Sequence, residues 1–378
     1  MKYIRFSIMP FWILLLISTL LIGPNYIIVL FWLLGGSFIL GDFFLPKDKK
    51  KPIYTKPWIL NGLLYINLPL LILLFFILGW YCSKIDVLGF GIFIQNNFYF
   101  NIIDHKANMR FYHYICIVLS AGLLVAGGGT VVAHELVHRN KERLSKWCGN
   151  WLIALSFDMA FALDHVYGHH KDVCLKKDSA TAVRGQSIYH FIISSSIGQF
   201  ISAYKIEKRR GKLIYQNRLL LGTIRSIFIV FLMYLVGGGF GMIILLSIAL
   251  VAKILLETVN YIEHYGLVRA EGAKVYPRHS WNSNHLMSNI MLYNLSRHSH
   301  HHEKAYLEFW NLEPYDDAPE MPYGYLSMIY IALLCPWWYH KVMAEKLLDW
   351  DRKYANDNER KIASEDNKNS GIKLLIQA

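Results

Sequence analysis

The stretch Arg297-His298-Ser299-His300-His301-His302 carries four histidines in five residues. Imidazoles fill an apolar core poorly, because a buried polar group without a partner costs free energy. They hold metals well: the neutral ring nitrogen is the commonest protein ligand and suits iron, zinc, copper and nickel. On a helix, His298 shares a face with His301 and His302, at i+3 and i+4. The run lies about 75 residues from the C-terminus, which argues against a purification tag. A solvated basic run is the plainer alternative, and the rest of the chain decides between the two.

Of the 378 residues, 54% are apolar, 15% aromatic and 17% charged, and the mean hydropathy is +0.28. Charged residues make up about 25% of an ordinary soluble domain, so the composition reads as an integral membrane protein. The net charge of +12 would fit nucleic acid, but long apolar spans make positive-inside bias the better explanation. The five cysteines, Cys82, Cys116, Cys148, Cys174 and Cys335, form no CxxC pair. This excludes a built-in rubredoxin-like, iron–sulfur or zinc-ribbon module and gives no disulfide framework. Met1-Lys2-Tyr3-Ile4-Arg5 and the apolar run after it resemble a signal peptide. A second span follows at once without a small-x-small site, so the run reads as an uncleaved membrane helix.

About 20 apolar residues cross a bilayer. On that basis the chain is expected to be an all-α integral membrane protein with six transmembrane helices, at about 6–22, 26–45, 57–81, 111–134, 219–236 and 242–261. Gly23-Pro24-Asn25 turns the first hairpin, Pro69 kinks the third span, Gly127-Gly128-Gly129 permits close helix approach in the fourth, and 237–241 turns the last hairpin. Residues 82–110 read as a loop with an interfacial segment. The apolar piece 151–163 is too short to span, and 326–338, broken by Pro336, reads as peripheral or re-entrant. Residues 1–355 form a single integral membrane domain in this reading, and 356–378 a charged tail in water. With the N-terminus cytoplasmic, 46–56, 135–218 and everything after 262 share one side. The opposite loops carry only Lys84, Lys106 and Arg110, as the positive-inside rule requires.

Three further stretches on that same side answer the first. His134-Glu135-Leu136-Val137-His138 matches HExxH, so a membrane zinc protease is a rival reading. Asp164-His165-Val166-Tyr167-Gly168-His169-His170 is spaced HxxxHH, and Asn260-Tyr261-Ile262-Glu263-His264-Tyr265-Gly266 closes the last span. With His298, His301 and His302 this makes nine histidines. Four to six nitrogens serve one metal, so nine imply two. Zinc is satisfied by three or four ligands, whereas imidazole-rich sites with open positions suit iron and oxygen chemistry. The pattern points to a non-haem di-iron centre in a membrane, and hence to an apolar substrate.

At these residues the chain resembles the membrane-bound alkane monooxygenases and the xylene monooxygenase hydroxylase subunits, within the fatty acid desaturase-like integral membrane di-iron superfamily. Their pattern HE-x-x-H, EH-x-x-GHH, NY-x-EHYG and L-x-RHSDHH reads here HELVHR, DHVYGHH, NYIEHYGL and LSRHSHHH. The likeness continues through 278–285 and 185–189 and covers about residues 40–355. It implies six transmembrane helices, a di-iron centre, and O2-dependent terminal hydroxylation of medium- or long-chain n-alkanes to primary alcohols. The xylene branch implies methyl-group hydroxylation of alkyl-aromatics instead, and a fatty acid desaturase is the alternative of another reaction type. Desaturases, however, carry HxxHH in the middle stretch and lack NYxEHYG.

The implied ligands are His134, His138, His165, His169, His170, His264, His298, His301 and His302. The resemblance also implies two iron ions, O2 as co-substrate, a bacterial inner-membrane location, and a separate rubredoxin or ferredoxin with its NAD(P)H reductase. Asp164 stands for the usual Glu, His300 for the usual Asp, and ATPxDP is degraded to Cys174-Leu175-Lys176-Lys177-Asp178-Ser179. Metal-bound imidazoles donate their outer N–H to carboxylates or carbonyls. Glu135, Asp158, Asp164, Glu257 and Glu263 are candidates for that role, with His300 as a possible donor. Lys253 and Glu257, at i and i+4, are expected to form an ion pair. His279 and His285 are expected to be structural or to support the ligands from outside rather than to bind metal, and His105, His113, His190 and His340 have no assigned role. Trp32, Phe38, Trp58 and Phe75 are candidate linings of a substrate path from the bilayer. Lys205, Lys208, Arg209, Arg210 and Lys212 are a candidate docking surface for an acidic electron carrier.

Overall fold

A computed structural model describes residues 2–139 and 141–378. Helices dominate, and among the described residues the extended pairings are two isolated bridges, Lys47 with His285 and Asn282 with Glu320. Five helices there are long and apolar enough to cross a membrane: Ile4–Ile22, Pro24–Phe44, Pro57–Cys82, Phe111–His138 and Arg218–His264. Each follows from an apolar run of sufficient length with few charges.

The interruptions follow from backbone chemistry. Gly23 ends the first helix in a positive-φ conformation, its N–H donating to the Thr19 carbonyl at 3.0 Å, and Pro24 opens the second helix at the position proline tolerates. The third span breaks at Ile66, between Pro57–Tyr65 and Asn67–Cys82. Pro69 has no N–H to offer the Tyr65 carbonyl four residues back. The buried Asn67 amide donates to the Leu63 and Leu64 carbonyls nearby, at 2.8 and 3.1 Å.

In the fourth span Val125–Val131 widens into a π-helix. A Cβ on Gly127 would strike Met9, and one on Gly128 would strike Asn67 and Ile13, so the glycines allow the close approach expected of them. The helix then continues past residue 134 to His138. The last hairpin differs from expectation. Arg218–His264 is helical throughout except at Gly238 (φ 63°, ψ −161°), so a single residue breaks the chain where a five-residue turn at 237–241 was read. A helix of 47 residues would be about 70 Å long at 1.5 Å per residue, more than twice the hydrocarbon thickness. The break leaves two stretches that each suffice to cross. The second runs three residues beyond the predicted end and carries Glu263 and His264 on helical backbone.

The chain divides into two compact units. One comprises Met1–Ser37, Tyr54–Met159 and Leu220–Lys253; the other comprises Phe38–Ile53, Ala160–Leu219 and Ile254–Ala378. The first is cored by Phe6, Ile13, Leu16, Leu71, Leu74, Ile117 and Leu124. In it Lys253 reaches both Asp158 oxygens at 3.0 Å, so the cation expected to pair with Glu257 engages Asp158.

The second unit is built around buried aromatics, including Tyr261, Tyr265, Trp281, Tyr325, Tyr339 and Trp350. Polar anchors fix its loops. The buried Asp42 carboxylate accepts from the Ser288 hydroxyl at 2.8 Å and from the Ser288 and Ser327 amides at 3.1 Å. Arg297, itself buried, donates to the carbonyls of Leu312 (2.6 Å), Asp48 (2.9 Å) and Lys50 (3.2 Å). The stretch quoted at the outset is therefore clamped at its first residue.

Residues 356–378, read as a solvated tail, pack instead against this unit. Asn356 caps Asp357–Asn369 by accepting from the Glu359 amide. The buried Glu359 side chain accepts from His279 Nε2 at 2.8 Å and from Arg278 at 2.9 and 3.1 Å. Burial pushes the Glu359 carboxyl up, but the hydrogen bonds from His279 and Arg278 outweigh it and bring it down to about 2. A depressed carboxylate contributes stability that is full above the ordinary pKa, near 4.5, and is lost as pH falls toward about 2. Glu359→Ala is expected to cost about 3 kcal/mol, because it leaves buried donors unpaired. Thermal unfolding in detergent at pH 7 measures it. Glu359→Gln should remove the acid-induced loss between pH 4.5 and 2.

Candidate metal centre

The geometry of the HxxxHH stretch resolves how adjacent histidines diverge. His165–His169 is a π-helical turn between Met159–Asp164 and His170–Asp172. In a π-helix residues i and i+5 stack on one face, where an α-helix would align i and i+4. His165 and His170 accordingly meet, their Nε2 atoms 2.9 Å apart. His169 turns away, toward His264 and His302, at ring-centroid distances of 4.9 and 5.0 Å. The short helix His298–Glu303 divides its histidines the same way: His298 and His302 bring their Nε2 atoms within 2.9 Å, while the His301 ring stacks with His165 at 5.9 Å.

Two sets result within the second unit. His165, His170 and His301 form one, and His169, His264, His298 and His302 form the other, with the ligand atoms of each set within 4.8 Å of one another. His134 and His138 lie one helical turn apart on Val132–His138, their rings 5.0 Å apart. Nitrogens bound to one ion at about 2.1 Å stand roughly 3 Å apart when adjacent and 4.2 Å when opposed, and the second set has this spacing.

Outer partners set which nitrogen faces inward. His264 Nδ1 donates to the His279 carbonyl at 2.9 Å. His169 Nδ1 lies 2.9 Å from Asp178, which also accepts from Thr181 and the Ala180 amide. Both rings therefore present an Nε2 lone pair to the centre. Burial disfavours charge on His169, but the Asp178 carboxylate outweighs it and holds the ring above its ordinary value. Burial likewise works against the Asp178 charge, and the His169 ring holds it below the usual range. A cation at His169 Nε2 is thus favoured, and a bound metal takes that place. Burial and the surrounding imidazoles depress His302 well below the usual histidine value, so it is neutral and a lone-pair donor. Glu263 is buried with one oxygen 3.2 Å from His298 Nε2 and the other without a hydrogen-bond partner. Neutral imidazoles beside an orphaned carboxylate oxygen fit a metal cation.

Glu135 is held by Arg139, at 2.6 Å, and lies on the helix of His134 and His138. Asp164 is buried, which pushes its carboxyl up to about 6. Glu257 accepts from Gln199 at 3.0 Å and from Asn260 at 3.2 Å. His279 accepts from the Tyr276 amide and pairs with Glu359, and His285 bonds Ser283. His300 faces away from its neighbours' sets. Its Nδ1 accepts from the Glu313 amide at 2.8 Å, and its ring lies 4.7 Å from Tyr315. His300→Asp should keep metal content and melting temperature, because a carboxylate can accept from the same amide; metal analysis and thermal unfolding check this.

Asp178 was not singled out for this role in the sequence. Its only local signal was its place in the degraded string after the second histidine stretch, since the bond to His169 depends on the turn between them.

A membrane protein with two histidine sets, one of them tied to the Asp178 carboxylate and the His279 carbonyl, defines an integral membrane metalloprotein whose donors fit non-haem iron. A family described as fatty acid desaturase matches residues 109–332. Alkane 1-monooxygenase 1 of Pseudomonas aeruginosa is 37% identical over 232 residues, 58% of this chain and 60% of that protein. An alkane 1-monooxygenase of Pseudomonas putida is 33% identical over 271 residues, 68% of this chain and 65% of that protein. The xylene/toluene monooxygenase hydroxylase component of Pseudomonas putida is 32% identical over 258 residues, 65% of this chain and 68% of that protein. The chain belongs to the membrane-bound alkane monooxygenase and xylene monooxygenase hydroxylase family, within the fatty acid desaturase-like group. It spans about 60% of the length of the first-named alkane monooxygenase.

Proposed function

We propose that this protein hydroxylates the terminal methyl group of medium- or long-chain n-alkanes to primary alcohols. The division of its histidines into two sets carries the reading, and the likeness to alkane 1-monooxygenases supplies the substrate class. His169, His264, His298 and His302 hold one iron, and His165, His170 and His301 serve the other; His134 and His138 are the remaining ligands that the family resemblance implies. Iron bound there supplies reductive O2 activation, and the overall balance is R–CH3 + O2 + 2 e⁻ + 2 H⁺ giving R–CH2OH + H2O.

The residues of this chain provide the surroundings. Asp178 and the His279 carbonyl orient His169 and His264 through their outer N–H groups. Glu263 places a carboxyl oxygen 3.2 Å from His298 Nε2. Burial of these rings keeps bulk water away from the reacting carbon. The substrate enters from the bilayer. Electrons come from a separate rubredoxin or ferredoxin with its NAD(P)H reductase, and the site faces the cytoplasm from the bacterial inner membrane with both termini on that side.

The relation to the xylene/toluene hydroxylase component favours one second reading, methyl hydroxylation of alkyl-aromatics. Cells expressing the protein with reductase partners, given octane, hexadecane and p-xylene, discriminate the two by mass spectrometry. Octanol or hexadecanol is the expected product. A methylbenzyl alcohol alone selects the second reading, and an alkene product overturns both.

A further inference from the structure

One long helix outside the five apolar spans, Ile188–Arg210, presents two opposed faces. Its inner face is tied down. Phe191 meets Tyr261 edge to face at 5.3 Å, Gln199 donates to Glu257 at 3.0 Å, and Glu207 pairs with Arg218 at 2.6 Å. The helix therefore cannot roll to hide its other side. That side shows Tyr189, Ile193, Ile197, Phe200, Ile201 and Tyr204, each between 45% and 64% exposed. At 3.6 residues per turn these six fall in an arc of about 120°. In water, a stripe of six large apolar residues along about four turns is an anomaly for a monomer.

The stripe ends in cations. Lys205, Lys208, Arg209 and Lys212 are exposed, and none has an ion-pair partner among the described residues. Leu213, Ile214 and Tyr215 follow, 61% to 75% exposed, and three residues after Tyr215 Arg218 opens the longest membrane helix. Lys208 lies on the line of the stripe itself, where a long alkyl stem can lie along apolar surface while the ammonium reaches out.

We propose that Ile188–Arg210 lies on the bilayer surface as an interfacial helix. Its apolar stripe seats among acyl chains, and Lys205, Lys208, Arg209 and Lys212 bind the phosphates of anionic phospholipids. Two observations select lipid over a protein partner. The apolar stripe and the unpaired cations occupy one continuous surface, which is the pattern of interfacial helices. The same surface runs directly into a membrane-crossing segment, and anionic lipids of the cytoplasmic leaflet attract basic residues at such a junction. These cations are the ones a soluble acidic carrier would otherwise claim. Placing them on lipid phosphates moves the carrier's site elsewhere on the protein.

The test uses the full chain in nanodiscs of phosphatidylcholine with phosphatidylglycerol, carrying p-benzoylphenylalanine in place of Ile197 or Phe200. Irradiation and mass spectrometry should find phospholipid adducts at both positions. Phosphatidylglycerol should be enriched among them above its share of the bilayer. In the K205E/K208E/R209E/K212E variant that enrichment should vanish while the adducts persist. If that variant does not accumulate, the natural sequence in about 0.5 M salt, where charges beyond about 4 Å are screened, should lose the enrichment equally. Adducts joining two copies of the chain or joining the chain to an added carrier would overturn the proposal, as would absence of lipid adducts at both positions or enrichment unchanged by charge reversal and salt.

Discussion

His302→Ala is expected to leave the purified protein with at most one iron per chain and to lower octane hydroxylation by more than about 100-fold, beyond the loss that accompanies removal of an outer partner alone. His302 is buried, its Nε2 lies 2.9 Å from His298 Nε2, and it belongs to the set with His169 and His264. Its removal reduces four imidazoles to three and opens a buried polar space that water can enter. His300→Ala, two residues away on the same six-residue helix, is the internal control. His300 bonds the Glu313 amide, so its loss should cost about 1–3 kcal/mol of stability and leave the iron in place. Iron analysis and single-substrate turnover of the two variants separate the predictions. Equal iron in both would show that the set around His298 does not bind metal.

The contrast between His300 and His302 marks how far the sequence could be read. Four histidine stretches at helix ends, with nine imidazoles, were legible because metal-ligand chemistry leaves a composition signal. The spans were legible because hydrocarbon demands about 20 apolar residues, and Pro69 announced its break three residues ahead. How the nine divide was not legible. It depends on a π-helical turn at His165–His169 that no local residue pattern dictates. The turn of the last hairpin was read too long for a related reason: five residues with four glycines look like a turn, yet only Gly238 leaves helical backbone. Glu359 escaped because its partners, Arg278 and His279, lie some 80 residues away. A run of charges in sequence looks solvated unless the donors that bury one of them are seen, and that pairing is a property of the fold. Asp178 is the intermediate case: near His169 in sequence, but aimed at it only by the turn at Val173–Asp178, in which Cys174 adopts a positive φ.

Asp178 is also where charge and orientation can be separated. Its carboxylate accepts from His169 Nδ1 at 2.9 Å and steadies its own loop through Thr181 and the Ala180 amide. Asp178→Asn retains an oxygen that can accept from His169 and removes the charge; Asp178→Ala removes both. Losses of outer partners cost about 10–100-fold in metal affinity or activity, and the two variants should fall at opposite ends of that range. Asparagine belongs near tenfold, because the ring stays oriented while the attraction for a cation at Nε2 weakens. Alanine belongs near 100-fold, because His169 then loses the acceptor that fixes its tautomer. Competition with an iron chelator measures affinity independently of turnover. If alanine and asparagine weaken iron equally, the carboxylate acts through its charge alone. If both bind iron as tightly as the natural protein, Asp178 holds only its loop, and the orientation of His169 must come from its packing between His264 and His302, whose rings lie 4.9 and 5.0 Å away.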